Sequence, residues 1–487
     1  MAADPGIDDA AETLGVSVYL AVPGAPVHPP GSAADLADLL RPTTQQALAE
    51  QRQAEYAEAA SLFSAYATAQ GLRLAVDLPQ CRLDLTGTAD QLEALLAWPA
   101  QDQAAAAFPA DLARWTAAVL DWRGPNPSPA SEAQAGAGMW PTEVAALYGI
   151  RPEDDGDGAC VGIIALGGAY LPSDLGLAMA GMGRRMPVVI ERPVIGPRDN
   201  PGDRPPLDRE LALDLQVLAG IVPAARIVIY FTDNTQRGLA RALHAAMFDT
   251  ENRPSALSIS WGSAEKYWSE SARHAVQAAL ADAVRLRVTV VAAAGDLLAS
   301  AGESDGSAHV QFPGSSPYAL CCGGTRITAG AGAADGRNET VWHDEETGTG
   351  GGISDLFPVP AYQTPVALPP SVNDGARRRG MPDVAAAAGQ TPGYRTIVNG
   401  AAMTQSGTSA ATPLWAGLIT AANAQRGQPV GLIQPLLYAN PDLFFAVTEG
   451  DNREGGIGYT AGPGWNACTG LGTPRGAAII AALTAVA

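Results

Sequence analysis

Lysine is almost missing from this chain of 487 residues: Lys266 is the only one among 30 basic residues, which face 50 acidic ones. The resulting net charge of −20 disfavours a nucleic-acid partner and suits a chain that stays soluble while its carboxylates take up protons. Cysteine is scarce as well. Cys81, Cys160, Cys321, Cys322 and Cys468 are odd in number and lack CxxC spacing, so neither a disulfide framework nor a cysteine metal site is implied. No apolar run approaches the roughly 18 residues that a membrane-spanning helix needs, which argues against a membrane partner. Residues 1–12 carry neither a basic stretch nor an apolar one, so no secretory signal is recognisable there, and the compartment stays open. With 47% hydrophobic and 16% charged residues, the composition is that of a globular protein of two or three domains, expected to act as a monomer.

Among the residues that are present, the segment Ser406 to Leu418, SGTSAATPLWAGL, is the most informative. It sets Ser409 where a glycine turn runs into a helix, and the unpaired amides of a helix start can stabilise developing negative charge. Serine is also a favoured helix cap, so the segment by itself allows a purely structural role. A serine nucleophile needs a base, usually histidine. His28, His244, His274, His309 and His343 all lack the following glycine found in the histidine motif of subtilisin-type proteases. Another base is therefore sought. Periodicity predicts a helix over Leu207 to Ala219, on which Glu210 and Asp214 stand at i and i+4 and share a face with Leu213 and Val217. Taken alone, that pair also fits a solvated surface stripe.

Further motifs occur in order along the chain. They are Ser-Ile-Ser-Trp-Gly at 258–262, Ala-Ala-Ala-Gly-Asp at 292–296, Cys-Gly-Gly-Thr at 322–325, Gly-Gly-Gly-Ile-Ser at 350–354, Met-Pro-Asp-Val at 381–384 and Gly-Pro-Gly-Trp-Asn-Ala-Cys-Thr-Gly-Leu-Gly at 462–472. With the carboxylate pair upstream and the serine between the last two, the chain resembles the sedolisin (serine-carboxyl peptidase) family, kumamolisin-like members in particular. The resemblance implies Ser409 as nucleophile, Glu210 as general base and acid, Asp214 as its orienting partner and Asp296 as oxyanion stabiliser. It also implies polypeptide substrates, and Ser260, Trp261, Gly262, Gly350, Gly351 and Gly352 are expected to bind them. A carboxylate base must be ionised, whereas a carboxyl that donates to an oxyanion must be protonated, so the activity implied is confined to acid. A catalytically silent subtilisin-fold peptide binder and a serine esterase are the alternatives.

The chain divides at Arg123 to Gly138, RGPNPSPASEAQAGAG, a composition typical of a linker. Residues 1–122 read as a small α+β domain, with strands at Val16 to Val22, Leu72 to Leu78 and Arg82 to Thr86, a long helix within Thr43 to Gln70, and helices near Ala89 to Trp98 and Pro109 to Trp122. The resemblance makes this a ferredoxin-like prodomain, a chaperone and inhibitor that is the chain's own partner. It is shortened here around Pro99 to Phe108. Residues 139–487 hold apolar strands at Cys160 to Leu166, Arg226 to Phe231, Leu257 to Trp261, Val288 to Ala293 and Tyr318 to Cys322 between helical stretches. That pattern predicts an α/β domain, a parallel sheet with helices on both faces, and the resemblance makes it subtilisin-like.

Three positions depart from the family. Ala165 stands where relatives often carry a glutamate tied to the catalytic carboxylates, and Leu297-Leu298 replaces Ser-Gly after Asp296. The third is the family's C-terminal calcium loop, built from two aspartates and backbone carbonyls, which is matched here by Ala446, Val447, Gly462, Gly464 and Asn466. With both carboxylates gone, no calcium and no other cofactor is expected.

Overall fold

The computed structural model describes residues 14–24, 29–41, 43–88, 91–92, 108–121, 128–129, 132–134, 138–196, 198–329 and 337–485. Most of the helix expected at Ala89 to Trp98, and the bridge after it, lie outside these residues. The chain forms two compact units. One comprises Met1–Pro26, Thr44–Gly124 and Ser269–Ala275, the other Val27–Thr43, Pro125–Trp268 and Val276–Ala487. The division does not follow a single cut in the chain.

The smaller unit is an antiparallel sheet in the order Arg73–Asp77, Arg82–Gly87, Leu14–Leu20, Thr116–Asp121. Helices Gln45–Glu55 and Ala57–Gln70, separated at Tyr56, follow the first strand in sequence. This strand order is that of a ferredoxin-like βαββαβ unit. Val16, Val18, Phe63, Leu83 and Leu85 fill its core. The helix expected over Pro109 to Trp122 is corrected here. Only Ala110–Ala113 is helical, and Thr116–Asp121 is a strand paired with Leu14–Leu20. Its alanines favour a helix locally, but the free edge of the first strand offers backbone partners that a helix would leave unused.

The larger unit is built on an eight-stranded sheet. Its main path runs Arg337–Val341, Ala319–Ala329, Thr289–Ala293, Ala256–Ile259, Cys160–Ala165, Arg226–Phe231, Val188–Pro193, with Val384–Ala387 pairing Ala319–Ala329 off that path. All neighbours are parallel except Arg337–Val341. Its central strands are apolar on both faces, as a sheet covered by helices requires, and this is a subtilisin-like α/β architecture. The edge strand Val188–Pro193 is an addition to the strands expected from the sequence. Two helices carry the residues of chemical interest. The carboxylate helix spans Pro205–Ile221 and the serine helix spans Thr408–Arg426, and they pack against each other. A hairpin of Tyr394–Val398 and Ala401–Ser406 leads into the serine helix. The turn between is Gly407, whose φ of 127° is strained for any residue with a Cβ.

Candidate active site

The carboxylate helix is buried along almost its whole length. From Leu207 to Ile221 only Arg209 retains partial exposure, and Glu210 and Asp214 are 0% and 1% exposed. A solvated stripe is thereby excluded. Two carboxyl groups one turn apart in a dry interior cannot both ionise cheaply. Asp214 accordingly titrates well above the ordinary carboxylate range, first because burial disfavours its charge and second because Glu210 lies beside it. The Ser260 hydroxyl donates to Asp214 Oδ1 at 2.7 Å and opposes that shift.

Polar ties hold this helix in register with the hairpin that delivers the serine. Gln405 Nε2 donates to the Arg209 carbonyl at 3.0 Å. Gln216 both donates to the Ile397 carbonyl at 2.7 Å and accepts from its N–H at 2.8 Å. Beside Arg209, Asp208 accepts from the N–H groups of Ala169 and Gly202, each at 2.7 Å, and so joins two loops to the first turn.

Ser409 is the second residue of the serine helix and is fully buried. Its neighbour Thr408 donates from both its backbone N–H, at 2.8 Å, and its hydroxyl, at 2.7 Å, to Asp296 Oδ1. Asp296 follows the strand Thr289–Ala293, and Ser260 follows Ala256–Ile259, so both stand at carboxyl ends of sheet strands, where open parallel sheets build their sites. Gly350 N–H donates to the Gly295 carbonyl at 2.7 Å, and a Cβ at 350 would lie 2.2 Å from the Ala294 oxygen. Gly350 therefore packs backbone against the turn that carries Asp296, while Gly352 pairs with Met381.

The strand Trp261–Ala264 is paired on both sides. Ser263 and Ala264 face Phe312 and Gln311, and Trp261 and Gly262 face Pro129 and Ser128 of the linker in antiparallel register. A second linker strand, Glu132–Gln134, runs antiparallel to Thr404–Ser406, with Glu132 opposite Ser406. Trp261 and Gly262 thus present backbone to an extended chain. Ser260 differs, its hydroxyl being turned to Asp214.

Sequence reasoning missed three participants: the Ser260 hydroxyl as partner of Asp214, Thr408 as holder of Asp296, and Gln405 as the tie to the carboxylate helix. Thr408 and Gln405 stand beside the serine motif, but their targets lie 112 and 196 residues away. Among the described residues, no group of three or more His, Cys, Asp or Glu gathers at a spacing that could hold a metal ion.

Residues 195–429 match the model of the subtilase family, peptidase S8. Kumamolisin of Bacillus sp. (strain MN-32) is 42% identical over 360 residues, which cover 72% of this chain and 65% of that protein. Sedolisin of Pseudomonas sp. (strain 101) is 31% identical over 285 residues, 54% of this chain and 47% of that one. The solved structure of Pseudomonas sedolisin, a serine-carboxyl proteinase complexed with two molecules of pseudo-iodotyrostatin, superimposes with a TM-score of 0.62 at 27% identity, covering 72% of this chain and 98% of that one. The chain belongs to the sedolisin family. It is a kumamolisin-like member, and it spans between about half and two thirds of the length of these curated relatives.

Proposed function

We propose that this chain is an acid-acting serine endopeptidase that cleaves polypeptides through an acyl-enzyme on Ser409. The observation that carries the reading is the buried Glu210/Asp214 pair on a helix packed against the one whose second residue is Ser409. Burial and the neighbouring Glu210 raise the titration of Asp214, so in this reading the pair shares a single negative charge and Glu210 is the base. Glu210 takes the Ser409 proton as Oγ attacks the peptide carbonyl. Protonated Asp296, held through Oδ1 by Thr408, donates to the oxyanion. Collapse of the tetrahedral intermediate breaks the C–N bond, Glu210 returns the proton to the departing amine, and water then hydrolyses the ester by the same steps.

The linker supports the same reading. An extended substrate pairs its backbone with the walls of a protease cleft, and the linker pairs with Trp261–Gly262 through Ser128–Pro129 and with Thr404–Ser406 through Glu132–Gln134. Residues 1–122 act as a prodomain whose linker is the first substrate, cut between Pro129 and Glu132.

Incubation of the purified chain in acid, followed by intact-mass analysis, tests both statements. The parent chain is expected to cut itself in that interval, and Ser409→Ala to stay whole. Glu210→Gln, which cannot accept the serine proton, should lose at least about 10⁴-fold in turnover of a peptide substrate. Clipping of Ser409→Ala at the parent rate, or an activity optimum near pH 8, would exclude the mechanism.

A further inference from the structure

The family's calcium loop does not fit the residues that occupy it here, and a side-chain amide stands among its carbonyls. Calcium takes roughly six to eight oxygen ligands and favours charged carboxylates among them. Ala446 offers no side-chain oxygen, and at Asn466 the amide nitrogen faces the loop carbonyls. Asn466 Nδ2 donates to the Val447 carbonyl at 3.1 Å and makes a longer contact of 3.5 Å with the Gly462 carbonyl. The other end of the amide accepts from Cys468 N–H at 3.1 Å, Thr469 N–H at 3.0 Å and the Thr469 hydroxyl at 3.1 Å. Two backbone donors at one end and two carbonyls at the other leave one orientation for the side chain: reversing it would set donor against donor and acceptor against acceptor. The neighbouring acids are engaged elsewhere or exposed. Asp451 accepts from Arg453 N–H and meets His343, while Glu449 lies at the surface.

We propose that the Asn466 amide group stands in for the cation. Its partly positive NH₂ draws together the Val447 and Gly462 carbonyls that a metal would otherwise bridge, and Oδ1 anchors it to the 466–470 turn. This turn is closed by Asn466 N–H to the Gly470 carbonyl at 3.1 Å and by Gly470 N–H to the Asn466 carbonyl at 2.8 Å. Asn466 is 7% exposed, so the tie works with little competition from water. The loop is thereby independent of calcium.

The amide tie bears on stability and is independent of the proposed activity. The test uses the full chain carrying Ser409→Ala, which prevents self-digestion. Melting at neutral pH should give the same midpoint in EDTA and in millimolar calcium, and calorimetric titration with calcium should show no binding. A fall of many degrees in EDTA that calcium reverses, or a saturable calcium isotherm, would overturn the proposal. Asn466→Asp isolates the donor half of the amide, because the carboxylate keeps the acceptor for Cys468 and Thr469 but turns a second acceptor on two carbonyls. It should lower the midpoint in EDTA by roughly 3–6 °C. A midpoint equal to that of the parent would show that the amide is not the tie. Should Asn466→Asp fail to fold, the chelator and calorimetric measurements on the parent still decide.

Discussion

At the scale of single residues, the departure of most consequence is Ser260. Its place in the Ser-Ile-Ser-Trp-Gly motif suggests a wall of the substrate site, and its neighbours Trp261 and Gly262 pair with the linker through their backbone. Its hydroxyl, however, is spent on Asp214 at 2.7 Å. No local pattern could announce a contact across 46 residues between a helix and the end of a strand. Ser260→Ala removes a donor that favours the ionised carboxylate, so the apparent titration of the Glu210/Asp214 pair should move upward and carry the acid limb of kcat/KM with it. Ser260→Thr, which retains a hydroxyl, should restore the limb. A uniform loss of rate with an unmoved pH profile would reduce Ser260 to a packing residue. Asp296 supplies a separate check. Asp296→Ala should cost about 10²- to 10³-fold in kcat with little change in KM, as removal of one oxyanion donor does elsewhere.

At the scale of elements, the carboxylate helix is legible in position and its surroundings are not. Its apolar period is plain from Leu211 to Leu218, but the same period serves a surface helix with one dry face. What buries it all round is the serine helix and the 394–406 hairpin, both distant in sequence, together with the helices Pro141–Leu147 and Pro172–Gly181. The sheet strands are readable because they are continuous runs of branched apolar residues. Val188–Pro193 escapes such a reading because, at the edge, it is half exposed and ends in Glu-Arg-Pro. Thr116–Asp121 has the local composition of a helix, and only pairing with Leu14–Leu20 makes it a strand. Element packing also yields a prediction. Gln405→Leu cuts the tie between hairpin and carboxylate helix and leaves the Arg209 carbonyl without that donor, at a cost of about 1–3 kcal/mol. Since the hairpin ends at Ser406, kcat should fall more than KM rises. A variant with lowered melting temperature but intact kcat would show that the serine is positioned without Gln405.

At the scale of the whole molecule, acidity acts in two directions, and the site lies on the side that acid favours. Carboxylates held below their ordinary range, such as Asp199 by Arg204 and the Gly168 N–H, and Asp249 by Asn252, stabilise the fold above their unfolded values and lose that contribution as pH falls through the folded ones. Asp214 has the opposite sign. Its folded-state value is raised by burial and by Glu210, so its relative contribution is fully present below the unfolded value of about 3.9 and is lost as pH rises through the folded one. Within a chain of net charge −20 at neutrality, burial and Glu210 thus favour retention of a proton at Asp214 as pH rises. Asp214→Asn, which is neutral at every pH, should melt higher than the parent at pH 7, and the gap should close as the medium approaches pH 4. Both melts belong in the Ser409→Ala background, so that self-cleavage does not enter. If the asparagine variant is instead offset from the parent by the same amount at pH 7 as in acid, then folding does not raise the titration of Asp214. In that event Asp214 is ionised at neutrality, and the single-charge description of the pair fails with it.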